Sequence, residues 1–154
     1  MIEWFDDLKV GMRFKSESKT VSKDEILRFA TEFDPQPFHL DEVAARDTFA
    51  GSLIASGWHT AAMLMRMNCD YFLNRSATQG AAAIEAVNWL KPVRPGDRLS
   101  VRRTTVETRP SDGQPELGLV DFEFEVMNQL RELVMTQKNA ILFKRRAAAE
   151  GATP

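Results

Sequence analysis

The chain carries only two histidines, His39 and His59, which makes the search for acid/base chemistry short. His39 closes the segment Asp34-Pro35-Gln36-Pro37-Phe38-His39. Its two prolines predict a stiff, non-helical loop just after a helix. Rigid loops of this kind often present functional groups. An aspartate and a histidine facing one cleft across such a bend, aimed at a common water, form a general acid/base pair. The plainer alternative is that Asp34 terminates the helix and His39 is a packed loop residue.

His59 falls near the start of a long apolar segment, where a partly buried, neutral helix histidine is expected. Neither histidine has the His-x-x-x-His spacing of a metal-binding helix, so no metal site is expected. Ser56-Gly57 opens that same segment. The first backbone N–H groups of a helix lack intrahelical partners, and glycine allows close approach to the backbone. Such an N–H suits a carbonyl oxygen that gains negative charge. A small-residue turn that lets the helix enter a crowded core accounts for the same residues. Cys69 lies among apolar residues and reads as an inert buried thiol. Met63, Met65 and Met67 read as core packing. No Gly-x-Ser-x-Gly elbow, phosphate loop or dinucleotide fingerprint is present.

The elements that must position these residues follow from the hydrophobic pattern. Arg13 to Val21 alternates weakly and predicts a strand. Ser22-Lys23-Asp24-Glu25 is a capping box, followed by Ile26, Phe29, Ala30 and Phe33 at helical spacing. Pro35 and Pro37 end that helix, and a short helix is expected from Asp41 to Asp47. Trp58 to Leu73 predicts a long helix that is apolar nearly all round and must be wrapped. Strands are expected at Ala83 to Leu90, Leu99 to Thr108, through Val120-Phe122-Phe124-Val126, and at Leu133 to Lys144. Short loops make these last four strands antiparallel neighbours. The expected fold is therefore α+β, a curved antiparallel β-sheet wrapped around one central α-helix.

Composition narrows the function classes. The chain of 154 residues, 44% hydrophobic and 27% charged, suits one globular domain, expected over 1–146 with a frayed tail at 147–154. A net charge of −2 argues against a dedicated nucleic-acid binder. One cysteine excludes a disulfide framework and a zinc site built on thiolates alone. The acidic start Met1-Ile2-Glu3-Trp4-Phe5-Asp6-Asp7 lacks the basic and apolar runs of a signal peptide. The stretch Gly57 to Leu73 is interrupted by His59, Arg66, Asn68 and Asp70, so no membrane span is expected. The expected location is the cytoplasm.

The order of several short motifs resembles the MaoC-like dehydratases, which include the (R)-specific enoyl-CoA hydratases of the hotdog fold. Asp34-Pro35-Gln36-Pro37-Phe38-His39 is similar to that family's Asp-x-Asn-Pro-x-His. Ile54-Ala55-Ser56-Gly57 stands where family members often carry Val/Ile-x-His-Gly. Lys91-Pro92-Val93-Arg94-Pro95-Gly96-Asp97 is similar to the family's Pro-Val-x-x-Gly-Asp turn.

The resemblance implies a hotdog domain that adds water reversibly to a 2-enoyl-CoA thioester, giving an (R)-3-hydroxyacyl-CoA. It places Asp34 and His39 at the catalytic acid/base positions and the Gly57 N–H on the thioester carbonyl. Gln36, Phe38, Ser56 and Trp58 fall at the substrate site. It implies no free cofactor, because coenzyme A arrives as part of the substrate. It also implies a homodimer or higher homo-oligomer, with no nucleic-acid or membrane partner. Gln36 departs from the family asparagine, and Phe33 and Phe38 are bulkier than the residues common at their positions. A hotdog acyl-CoA thioesterase and a non-catalytic acyl-CoA-binding module are the alternatives. The acyl chain, and coenzyme A against a carrier protein, stay open.

Overall fold

The computed structural model describes residues 1–146, so the tail at 147–154 lies outside the described residues. Seven strands form one antiparallel sheet: β1 (Arg13–Lys15), β2 (Lys19–Thr20), β3 (Thr78–Gly80), β4 (Ala86–Trp89), β5 (Arg98–Ser111), β6 (Gln114–Met127) and β7 (Leu133–Lys144). The sheet order is β1-β5-β6-β7-β3, with β2 also paired to β5 and β4 to β7. Four helices accompany it: α1 (Lys23–Phe33), α2 (Pro37–Leu40), α3 (Glu42–Arg46) and α4 (Gly57–Tyr71). Among the described residues no helix is long and apolar enough to cross a membrane.

The long helix α4 lies against the sheet, as a hotdog requires. Phe122, Phe124, Val120 and Val126 alternate along β6 and are buried, as are Val101 and Leu99 from β5 and Met135, Ile141 and Phe143 from β7. From the helix come Met63, Leu64 and Met67. Fully burying one such side chain stabilises by about 1.5–3 kcal/mol before entropic costs, so this single layer contact dominates the fold.

Several expectations are corrected in detail. The strand expected over Arg13 to Val21 breaks in two. Ser16 Oγ accepts the Val101 N–H at 2.9 Å, taking the place of a main-chain carbonyl and interrupting the ladder. Pro37 does not make a non-helical loop. It stands at the first position of a helical turn, α2, where its missing N–H is not needed and its φ is already suited. His39 therefore sits on a short helix. Strand β5 runs on through Pro110, which pairs with Gly118 near the hairpin end, beyond the reach of β1. Strand β3 was not expected, being only three residues long.

The helix α4 is also less completely wrapped than its composition suggests. The sheet and α1 cover the stripe His59, Thr60, Met63, Leu64, Met67 and Asn68. Trp58 and Met65 lie on the other side and remain exposed, at 62% and 48%. Cys69 is only partly buried.

Candidate active site

Local sequence rules bring three segments to one cavity. The capping box of α1 is formed as expected: Ser22 Oγ accepts the Glu25 N–H at 3.1 Å, and the Glu25 carboxylate accepts the Ser22 N–H. This sets where α1 starts, and Asp34 is the residue that ends it. Three residues later the turn α2 begins, and it buries His39. The third segment is the start of α4, where Ser56 is the N-cap and its Oγ accepts the Trp58 N–H at 3.2 Å.

The three segments meet at the Asp34 carboxylate. His39 Nε2 lies 3.3 Å from Asp34 Oδ2. The Ser56 hydroxyl donates to the same oxygen at 2.7 Å, and Gln36 Nε2 donates to Oδ1 at 2.7 Å. Partial burial pushes the Asp34 carboxyl up, but the hydrogen bonds from Gln36 and Ser56 outweigh it. Its pKa therefore lies below the usual carboxylate value. The other ring nitrogen, His39 Nδ1, is 2.8 Å from the Ile54 carbonyl oxygen. A carbonyl can only accept, so Nδ1 carries the hydrogen. In the neutral ring the Nε2 lone pair then faces Asp34. At this distance no water fits between the two acceptors, but a water seated beside them on the cavity side can donate to both.

The cavity beside this pair has a volume of about 560 Å³. Asp34, Gln36, Phe38, His39, Gly57 and Trp58 line it, and Ser56 stands behind Asp34. Phe33 does not line it and points to solvent instead. Gly57 takes the first position of α4, and its N–H makes no hydrogen bond among the described residues. Its φ is not positive, so the backbone conformation does not demand glycine. What demands it is Trp89: a Cβ added at Gly57 would stand 2.7 Å from the indole ring. Trp89 also donates its Nε1–H to the Gly57 carbonyl at 2.8 Å and packs edge-on against Trp58.

Trp89 and Phe49 are lining residues that the sequence motifs did not single out. For Trp89 a signal existed, a tryptophan at the end of a strand directly before the proline-rich turn. Phe49 had none. Arg94 is bonded to Ser52 and to the Ala50 carbonyl, Arg102 is paired with Glu125, and Arg103 is buried. His59 is buried as expected and stacks on Phe29 of α1, with centroids 4.8 Å apart. Burial holds its imidazole below its ordinary value.

The fold, an antiparallel sheet packed on one long helix, is that of a hotdog domain, and comparison with known proteins agrees. Residues 7–124 match the family model described as the MaoC like domain, and the chain belongs to this family. It is 31% identical over 140 residues to the uncharacterized protein YdeM of Bacillus subtilis, covering 91% of this chain and 98% of that one. It is 32% identical over 117 residues to the 3-hydroxybutyryl-CoA dehydratase of Methylorubrum extorquens, covering 75% of this chain and 71% of that one. The crystal structure of a MaoC-like dehydratase from Rhodospirillum rubrum is 41% identical and superposes with a TM-score of 0.86 over 93% of this chain and 97% of that chain.

Proposed function

We propose that this protein is an acyl-CoA hydratase/dehydratase, adding water reversibly to a 2-enoyl-CoA to give an (R)-3-hydroxyacyl-CoA. One observation carries the reading. Asp34 and His39 face each other as two acceptors beside a cavity whose other wall holds the unbonded Gly57 N–H. A water donating to Asp34 Oδ2 and His39 Nε2 has its oxygen lone pair free for the β-carbon. As the C–O bond forms, the Asp34/His39 pair takes a proton from the water. The pair returns one proton to the α-carbon, so water is consumed and no other reactant is needed. The Gly57 N–H donates to the thioester carbonyl as it gains enolate character. Gln36 and Ser56 hold the carboxylate ionised, and Phe38 and Trp58 contact the acyl thioester.

A thioesterase would want a carboxylate early on α4. The acid within that helix, Asp70, is near its far end, where it bonds Arg66 at 2.9 Å and does not line the cavity. We further infer a homodimer, supported by the exposed apolar residues Trp58 and Met65 on α4 and Ile84 and Leu90 beside the short strand β4. In this reading the site works in the cytoplasm, with coenzyme A entering only as part of the substrate.

The test is hydration of crotonyl-CoA, followed by loss of the enoyl-thioester absorbance, with chiral analysis of the product and a free-thiol assay. The expected result is an (R)-3-hydroxyacyl product without thiol release, and a fall of about 10²–10⁴-fold in Asp34→Asn and His39→Ala. Thiol release would assign a thioesterase. Binding without any turnover of short, long or branched enoyl-CoAs would assign a non-catalytic module.

A further inference from the structure

Of the residues that line the cavity, His39, Ile54, Ala55, Thr60 and Val93 are buried. The start of α4 and the end of β4 meet at one wall of this cavity, which Gly57, Trp58 and Trp89 all line. Trp89 projects from the last position of β4, held in register opposite Met135 of β7. Its indole bonds the Gly57 carbonyl at 2.8 Å and leaves no room even for a methyl group at residue 57. Yet Trp89 is 45% exposed and ends a four-residue strand, so its ring is placed for contact at the cavity wall rather than for core packing.

We propose that Trp89 is a specificity-determining residue that closes the acyl end of the cavity and selects compact, crotonyl-sized acyl groups over long straight chains. The proposal rests on the hydratase reading and goes beyond it by assigning the substrate class. Its physics is exclusion. Each methylene that a pocket accommodates strengthens binding, so a preference for the shorter chain arises only where the longer one is refused.

The experiment compares kcat/KM for crotonyl-CoA and decenoyl-CoA in the wild type, Trp89→Ala and Trp89→Phe. The wild type should favour crotonyl-CoA by about tenfold or more. Trp89→Ala should abolish that preference, and Trp89→Phe, which keeps a ring but not the hydrogen bond, should largely retain it. Trp89→Leu serves in place of the alanine variant if thermal melting shows the latter unfolded. Equal rates for both chains in the wild type, or an unchanged ratio in the alanine or leucine variant, would overturn the proposal. Binding of butyryl-CoA and decanoyl-CoA, read by titration calorimetry, separates the two failures. If no enoyl thioester is turned over, the hydratase reading fails. The length selection then stands only if the wild type binds butyryl-CoA more tightly and the alanine variant reverses the order. Any other order, or no binding, overturns it.

Discussion

Ser56 and Asp34 are joined by a hydrogen bond of 2.7 Å that links the carboxylate at the end of α1 to the N-cap of α4. The same Oγ accepts the Trp58 N–H, so one hydroxyl bonds the proposed acid/base pair and the helix terminus that carries the proposed oxyanion donor. The two halves of the site cannot shift independently without breaking one of these bonds.

That linkage has a pH consequence. The Asp34 carboxyl lies below its ordinary value because donors from Gln36 and Ser56 favour the ionised form over the opposing effect of burial. A lowered carboxyl stays ionised, and its contribution to activity and stability persists, until pH falls through that lowered value. Removing a donor raises the value and brings the acid loss to higher pH. Ser56→Ala and Gln36→Leu should each move the acid limb of kcat/KM upward and lower the neutral-pH rate by about tenfold. A pH–rate profile of each variant checks this, and an unmoved acid limb would count against it.

Gly57→Ala places a methyl group against the Trp89 indole, where a Cβ would stand 2.7 Å from the ring. The expected cost is about 1–3 kcal/mol in urea unfolding. In a Trp89→Leu background the same change should cost markedly less. A double-mutant cycle without coupling would mean that the ring moves aside freely.

His59 lies stacked on Phe29 with its Nδ1 buried and unpartnered among the described residues. Burial holds its imidazole below 6.5, with the Glu25 carboxylate opposing this effect and the Lys19 ammonium adding to it. The unfolded chain therefore binds a proton that the folded one refuses. Stability is full above 6.5 and falls as pH drops from there toward the folded value. His59→Leu should flatten this dependence by as much as about 1.4 kcal/mol per pH unit. Urea midpoints measured across this range decide it, and parallel profiles for the two proteins would contradict it.

Arg103 is a buried cation pressed on the Phe72 ring, its guanidinium carbon 3.5 Å from the centroid. Its nearest counter-charge is Glu3, at 3.9 Å. Burial lowers the Arg103 pKa and Glu3 opposes that. Removing the carboxylate strands a buried charge, whereas replacing the cation with an apolar side chain removes the need for a partner. Glu3→Gln should therefore lower the melting temperature more than Arg103→Met does. The reverse order would show that the ring contact outweighs burial of the charge.

The sequence alone carried the outline of both fold and site. The alternation of Val120, Phe122, Phe124 and Val126 marked a half-buried strand, and the capping box marked where α1 begins, because these signals are local. Asp34 and His39 were legible because both lie in one proline-rich segment. Other features escaped a local reading. The break at Ser16 depends on the distant Val101 N–H. The exposure of Trp58 and Met65 depends on which side of α4 the sheet covers. The helical turn at Pro37 was within reach, since proline suits a first helical position as well as a loop.

Residue types and spacing thus determined the chemistry on offer: a carboxylate, an imidazole and a glycine at a helix start. The tertiary structure decided their relations. It oriented His39 through the Ile54 carbonyl, fifteen residues away in sequence, and bonded Asp34 to Ser56 across twenty-two. It also set Trp89 against Gly57 across thirty-two residues. Hydrogen-bond direction and ring contact act over a few ångströms of space, and a chain brings such distances about only when it is folded.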